Sequence, residues 1–188
     1  MARPKSDDKR SAIMAAAIRV IASQGLGAPT ATIANEAGVS NGSLFTYFET
    51  KVDLLNHLYV ELKAEMAAAA LEGLPTGSDI RGQMFRMWNQ WLRWATSCPE
   101  KRRALAQLAV SDDITPASRQ AGSQTMAGVA KLLERSRENG PLRDAPLGFV
   151  VALMNAVADT TIDFMIQDPA NADKHRTAAF DALWRMVA

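Results

Sequence analysis

Residues 30–51 read T-A-T-I-A-N-E-A-G-V-S-N-G-S-L-F-T-Y-F-E-T-K. This stretch has the length and punctuation of a helix-turn-helix unit: a short helix, a glycine-centred turn and a second short helix. Its apolar positions Ile33, Ala34, Ala37, Val39, Leu44 and Phe48 make one internal face. Gly38 stands just past the first short helix, where the chain needs a left-handed cap that glycine adopts without strain. Ser40 then takes the N-cap of the second helix, its hydroxyl placed to accept a backbone N–H. Asn41, Gly42, Ser43, Thr46 and Tyr47 are left facing outward, a set of hydrogen-bonding groups on a thin helix that fits a DNA major groove.

The segment resembles the DNA-binding domain of TetR-family transcriptional regulators. That pattern is an isoleucine–alanine pair, A-G-V-S, a glycine, then L-Y-x-Y/H-F with a lysine three residues on. Here it stands as Ile33-Ala34, Ala37-Gly38-Val39-Ser40, Gly42, Leu44-Phe45-Thr46-Tyr47-Phe48 and Lys51. The motif is confined to about the first quarter of the chain; beyond it the resemblance is one of length and helical layout. It implies an all-α fold: a three-helix DNA-binding domain over residues 1–50, then a helical bundle over 51–188 for ligand binding and dimerisation. The helix at 51–72 links the two.

The resemblance also assigns roles. Tyr47 and Lys51 are expected to contact phosphate, from the end of the recognition helix and the start of the fourth helix. Asn41, Ser43 and Thr46 are placed to touch bases or groove-edge phosphates, and Gly42 lets the backbone approach closely. Thr30, at the head of the first short helix, completes the expected DNA-binding set. Two positions depart from the pattern. Phe45 replaces a tyrosine, removing one phosphate donor, and Ala31 stands where an arginine or another long polar residue is common. The Arg3-Pro4-Lys5 arm either reaches a minor groove or is a frayed, charged terminus.

Composition is consistent with this reading. At 188 residues and 48% hydrophobic, the chain can bury a substantial helical core. No 18-residue uncharged apolar run marks a membrane span, and Met1-Ala2-Arg3-Pro4-Lys5 begins a charged terminus without an apolar signal region. A cytoplasmic protein is expected. Cys98 is the single cysteine, so neither a disulfide framework nor a cysteine-rich metal site is available. His57 and His175 lie far apart and outside any metal-ligand spacing; no metal or cofactor is expected.

Charge contributes little to the nucleic-acid reading. The chain carries 21 Lys and Arg against 20 Asp and Glu, a net +1. Within the head, Arg3, Lys5, Lys9, Arg10, Arg19 and Lys51 face Asp7, Asp8, Glu36, Glu49 and Asp53. Binding is then expected to rest on placed contacts and on two copies acting together, with a shallow salt dependence.

Helical periodicity extends along the whole chain. An amphipathic helix is expected over 6–24, with Ile13, Ala17, Val20 and Ile21 on one side. Another runs from a Thr50 cap to about residue 71, with Leu54, Leu55, Leu58, Leu62 and Met66 inward. Residues 73–78, G-L-P-T-G-S, make a break. Further helices are expected over 78–97, 99–110, 116–139, 146–167 and 171–188, nine in all, with Asn139-Gly140-Pro141 as a strong stop.

Two features of the second domain bear on a ligand. Met84, Met87, Trp88, Trp91 and Trp94 recur along one helix. They read either as an adaptable apolar wall for a hydrophobic or planar molecule or as ordinary core, with Met84, Trp88 and Trp91 favoured as lining and Met126, Met154 and Met165 contributing from later helices. Asn155, Asp159 and Asp163 share a helix face. Asn155 and Asp159 read as polar ligand contacts, as a solvated edge, or as partners across a dimer interface; Asp163 is better read as edge. Ala152, Ala156 and Ala158 with residues 178–187 suit a two-fold four-helix interface.

Together these readings point to a homodimeric regulator, a repressor released from a pseudo-palindromic operator by a small molecule. The alternative is a DNA-binding regulator of the same fold with no small ligand, controlled by a protein partner or by abundance. No nucleophile–base pair, phosphate-cradling loop or metal spacing supports an enzyme.

Overall fold

The computed structural model describes residues 5–74 and 79–188, with side chains described from Asp7 onward and again past the interruption. Arg3 and Pro4 of the expected arm, and residues 75–78 of the expected break, lie outside the described residues. Among the described residues there are ten α-helices, one 3₁₀ turn and no strand. The helices are α1 (Lys5–Gln24), α2 (Thr30–Glu36), α3 (Asn41–Leu44), α4 (Lys51–Leu71), α5 (Ile80–Ser97) and α6 (Pro99–Ala109). They continue as α7 (Pro116–Thr125), α8 (Ala127–Ser136), α9 (Leu147–Gln167) and α10 (Ala172–Val187), with the 3₁₀ turn at Pro169–Asn171.

One expected helix is divided. Residues 116–139 form α7 and α8, separated at Met126, whose φ of −86° and ψ of 2° place it outside the helical run. The segment Gly122-Ser123-Gln124-Thr125-Met126-Ala127-Gly128 contains two glycines, a serine and a threonine, all weak helix formers. The stop at the far end falls at Arg137, two residues before Asn139.

The chain divides into two compact units: the described residues up to Ala64 with Cys98–Gln124, and those of Glu65–Ser97 with Thr125–Ala188. A head ending at residue 50 is therefore smaller than the unit that packs around it. The first unit buries Ile13, Ala17, Val20 and Ile21 of α1, Ile33 of α2, Leu44 and Phe48, Leu54, Leu55 and Leu58 of α4, and Leu108 of α6. Packing recruits α6 and α7 to it through specific ties. Gln107 Nε2 donates to the Ile21 carbonyl at 3.1 Å. Asn56 Nδ2 donates to the Asp113 carbonyl at 2.8 Å, and Arg119 caps the end of α6 by donating to the Ala109 and Ser111 carbonyls at 2.9 and 2.8 Å. Gly122 lets α7 approach α4, for a Cβ there would come within 2.7 Å of the Tyr59 ring.

The second unit has its core in Met84, Met87, Trp88 and Leu92 of α5, Val129 and Leu133 of α8, Val150, Met154, Ala158 and Ile162 of α9, and Phe180 and Leu183 of α10. Its loop between α8 and α9 is held by Arg137. That guanidinium donates to the carbonyls of Leu142, Arg143 and Ala145 at 2.7, 3.1 and 2.6 Å. Glu134 receives its other N–H groups at 2.9 and 3.0 Å, which keeps the Glu134 carboxyl below its ordinary pKa and raises that of Arg137.

By length and composition α9 is apolar enough to cross a membrane, with a mean hydropathy of 1.6. Its Val150–Met154–Ala158–Ile162 side is buried on α5 and α10, the behaviour of a core helix.

Candidate nucleic-acid interface

Local hydrogen bonds set the reading unit. At the end of α2 the Val39 N–H donates to the Ala34 carbonyl and the Gly38 N–H to the Asn35 carbonyl, both at 3.0 Å. This is the Schellman arrangement, and it requires the left-handed φ of +69° that Gly38 adopts. Ser40 then caps α3: its φ of −70° and ψ of 152° are extended, and its Oγ accepts the Ser43 N–H at 3.1 Å. Ile33, Ala34, Leu44 and Phe48 are buried beneath. Burial of a phenylalanine such as Phe48 is worth about 1.5–3 kcal/mol and pins the turn to the unit's core.

On the outer side, Asn41, Gly42 and Thr46 are exposed and Ser43 is half-buried. Nothing lies within 4 Å of where a Gly42 Cβ would sit, so the backbone there is open to close approach. The Thr46 hydroxyl donates to the Ser43 carbonyl at 2.6 Å, which leaves its oxygen free to accept a further hydrogen bond. Tyr47 and Lys51 are half-buried, Tyr47 just after α3 and Lys51 as the first residue of α4; Thr30, half-buried, opens α2. The expected DNA-contacting residues thus share one short stretch whose internal face is packed and whose outer face is polar.

The start of α4 is fixed as firmly. Thr50 Oγ1 accepts the Asp53 N–H at 3.0 Å, and Asp53 Oδ2 accepts the Glu49 N–H at 3.1 Å. This reciprocal cap holds Lys51 in the first turn. His57 Nδ1 lies 3.1 Å from Asp53 Oδ1, and the His57 ring meets the Phe48 ring edge-on at 5.6 Å. Arg10 stands over the same phenylalanine, 5.4 Å from its centroid, and reaches Glu61 at 3.5 Å. Arg10, Thr50, Asp53, His57 and Glu61, with Asn56, Thr115 and Ser118, line an open groove of about 730 Å³. Its polar side chains are largely occupied with one another.

The candidate ligand residues of the second unit are only partly brought together. Met84 and Trp88 are fully buried; Trp91 is half-buried and meets Trp88 edge-to-face at 5.9 Å. The Trp88 indole N–H donates to the Arg176 carbonyl at 3.1 Å, and that of Trp94 to Glu65 Oε1 at 2.9 Å, so both indoles have their polar edge satisfied. Met126 is half-buried at the break between α7 and α8. Asn155 and Asp159 are exposed on α9. The four-residue spacing puts them on one face, as expected. Which way that face points is set by Val150, Met154, Ala158 and Ile162, which take the inner side.

Asn56 escaped the sequence reading. It is buried within the apolar stripe of α4, and the signal was present as a polar residue among Leu54, Leu55, Leu58 and Tyr59.

The profile of the family described as "Bacterial regulatory proteins, tetR family" matches residues 13–58, from α1 through the reading unit into α4. A TetR-family transcription regulator from Shewanella sp. PV-4, itself described as putative, is 28% identical, with 94% of this chain and 96% of that one aligned at a TM-score of 0.83. Residues 13–58 thus match the TetR-family profile, and the chain as a whole shares the fold of TetR-family transcription regulators. A regulator from Marinobacter aquaeolei VT8 shares the fold over 97% of each chain, at 24% identity and a TM-score of 0.86. The TetR-like regulator LfrR from Mycobacterium smegmatis, solved with proflavine, shares it over 94% of this chain and 95% of that one, at 19% identity and a TM-score of 0.68. The all-α expectation and the transcription-regulator reading of the helix-turn-helix segment stand together on these findings.

Proposed function

We propose that this protein is a TetR-family regulator, a homodimeric, cytoplasmic repressor that releases a pseudo-palindromic operator when a small molecule binds its second unit. The observation that carries the DNA-binding half is the reading unit itself: a Schellman-capped α2, a serine-capped α3, and Asn41, Gly42 and Thr46 exposed beside Tyr47 and Lys51. Each recognition helix enters one half-site, and the dimer axis sets the spacing between them.

Dimerisation is supported by the outer faces of α9 and α10. Phe149, Ala152, Ala156 and Phe164 are exposed on α9, and Ala178 and Ala182 on α10. Small residues flanked by exposed phenylalanines on adjacent helices suit close helix–helix contact. On this arrangement Asn155 and Asp159 belong to the interface between subunits.

The effector site is the half-buried side of the Trp–Met cluster, where Trp91 and Met126 are accessible and Met84 and Trp88 form the wall. The proflavine complex of the mycobacterial relative is a precedent for a planar ligand in this fold. α4 contributes residues to both units and carries Lys51, so it is the element through which effector and operator are linked. Linkage requires that the effector bind the operator-bound form more weakly than the free form.

A second reading is favoured by the complete burial of Met84 and Trp88: a regulator of the same fold with a packed second unit and no small ligand. One experiment separates the two. Operator sites are selected from fragmented genomic DNA and then titrated with wild-type, Tyr47→Phe and Lys51→Ala protein, with and without planar aromatic compounds. Recovery of an inverted repeat weakened by both variants supports the DNA-binding half, and release by a compound supports the effector half. No selectable site sinks the regulator reading.

A further inference from the structure

We infer that Phe45 is a specificity-determining residue, its ring meeting the C5-methyl group of a thymine in each operator half-site. This rests on the DNA-binding reading above and adds a base preference to it.

Three aromatic residues close the reading unit, and they are used differently. Phe48 is 1% exposed and serves the core, with Arg10 over one face of its ring and the edge of His57 against it. Tyr47 is half-buried and carries a hydroxyl. Phe45 is 41% exposed and has no polar atom to offer on its ring. Its place is nonetheless well defined: it is the C-cap of α3 with φ −73° and ψ −5°, and its N–H reaches the Asn41 carbonyl at 3.4 Å.

Helical spacing sets Phe45 beside Asn41, four residues earlier, and Gly42, three residues earlier, both exposed, with open space at Gly42. An apolar ring therefore sits in the polar strip that faces the groove. A phenyl ring there makes no hydrogen bond to phosphate or to a base edge. The apolar feature a major groove presents is the thymine methyl, so thymine is the complement the groove supplies for it. Asn41, one turn back, has the geometry to bridge N6 and N7 of adenine, which makes an A·T-rich half-site the joint preference of the pair.

The test compares thymine with deoxyuridine, which keeps the base pair and the O4 acceptor and lacks only the methyl. The operator is first selected with wild-type protein, and each thymine of the half-site is then replaced in symmetric pairs. At one position the replacement is expected to weaken wild-type binding roughly fourfold per half-site, the worth of one buried methyl, or about fifteenfold for two. Phe45→Ala is expected to bind the thymine operator correspondingly less well and to be indifferent to that replacement, while Phe45→Tyr keeps the sensitivity. Melting curves of the variants report folding, which the exposure of Phe45 leaves intact.

Two results overturn the inference while leaving the regulator reading in place. One is that no thymine position is methyl-sensitive. The other is that a methyl effect persists unchanged in Phe45→Ala, which would place the ring on sugar or on another protein. Failure of the wild type to select any site overturns the DNA-binding reading, and this inference with it.

Discussion

The carboxamide of Asn56 holds Thr115 at two points, its Oδ1 accepting the Thr115 backbone N–H at 2.9 Å and the Thr115 hydroxyl at 3.2 Å. Its Nδ2 donates to the Val52 carbonyl at 2.7 Å and the Asp113 carbonyl at 2.8 Å. One buried side chain thus joins the second turn of α4 to the loop between α6 and α7, using both its donor and its acceptor.

Asn56→Ala is expected to lower unfolding free energy by about 2–4 kcal/mol, because it leaves the Asp113 carbonyl and the Thr115 N–H without their buried partner. Asn56→Asp is expected to be worse at neutral pH, since a carboxylate would face two carbonyl oxygens. Urea denaturation followed by circular dichroism checks both. A loss under about 0.5 kcal/mol for the alanine variant would mean that water replaces the amide at no cost.

Gly38 and Ser40 make a separable pair of tests in the reading unit. Gly38→Ala forces a side chain into a φ of +69° and is expected to cost about 1–2 kcal/mol. Ser40→Ala removes the acceptor for the Ser43 N–H and is expected to cost about 1 kcal/mol. Because the second change frays α3 directly, operator affinity should fall in Ser40→Ala even where thermal melts show the protein fully folded. Unchanged affinity in that variant would show that DNA itself restores the turn.

These local devices explain why the reading unit was legible in sequence. Gly38, Ser40 and Thr50 act on backbone groups within five residues of themselves, so their type and spacing suffice to place the turn and the start of α4. The break at Met126 was not legible in the same way: it comes from several weak helix formers, none of which is a stop alone. Nor does periodicity distinguish the inside of α9 from its outside. Asn155 and Asp159 face out because Val150, Met154, Ala158 and Ile162 pack against α5 and α10, and those contacts join residues far apart in the chain. The same holds for Trp88 and Trp91, neighbours on α5, of which the first is fully buried and the second only half.

Asp168 gives the second unit a dependence on acid. His175 Nε2 lies 3.0 Å from Asp168 Oδ2, and Asn171 Nδ2 donates to the same carboxylate, so the Asp168 pKa is lowered, chiefly by the histidine. A carboxylate with a depressed folded-state pKa contributes stability above its unfolded pKa, about 3.9, and loses it as pH falls through the folded value. Asp168→Asn is therefore expected to be less stable than wild type at pH 6–7, with the gap closing below about pH 4. Urea midpoints measured across that range check it; a gap independent of pH would mean that the cluster acts through shape alone.

Salt dependence tests how the head is charged. Arg19 is engaged by Glu36 at 2.7 Å and Arg10 by Glu61 at 3.5 Å, so two of the cations legible in the sequence are already paired within the unit. Lys51 has no acidic partner among the described residues and stands at the end of the reading unit. Each phosphate neutralised by a cation contributes about 0.9 to the slope of log affinity against log salt. Lys51→Ala is then expected to flatten the slope by roughly 2 for a dimer, whereas Tyr47→Phe, which removes a neutral donor, weakens binding at every salt concentration and leaves the slope alone. The wild-type slope itself should be shallow, since acidic residues nearly balance the basic ones in the head and Arg10 and Arg19 are already paired. A steep slope that survives Lys51→Ala would place the phosphate contacts elsewhere on the chain, and with them the orientation of the head on DNA.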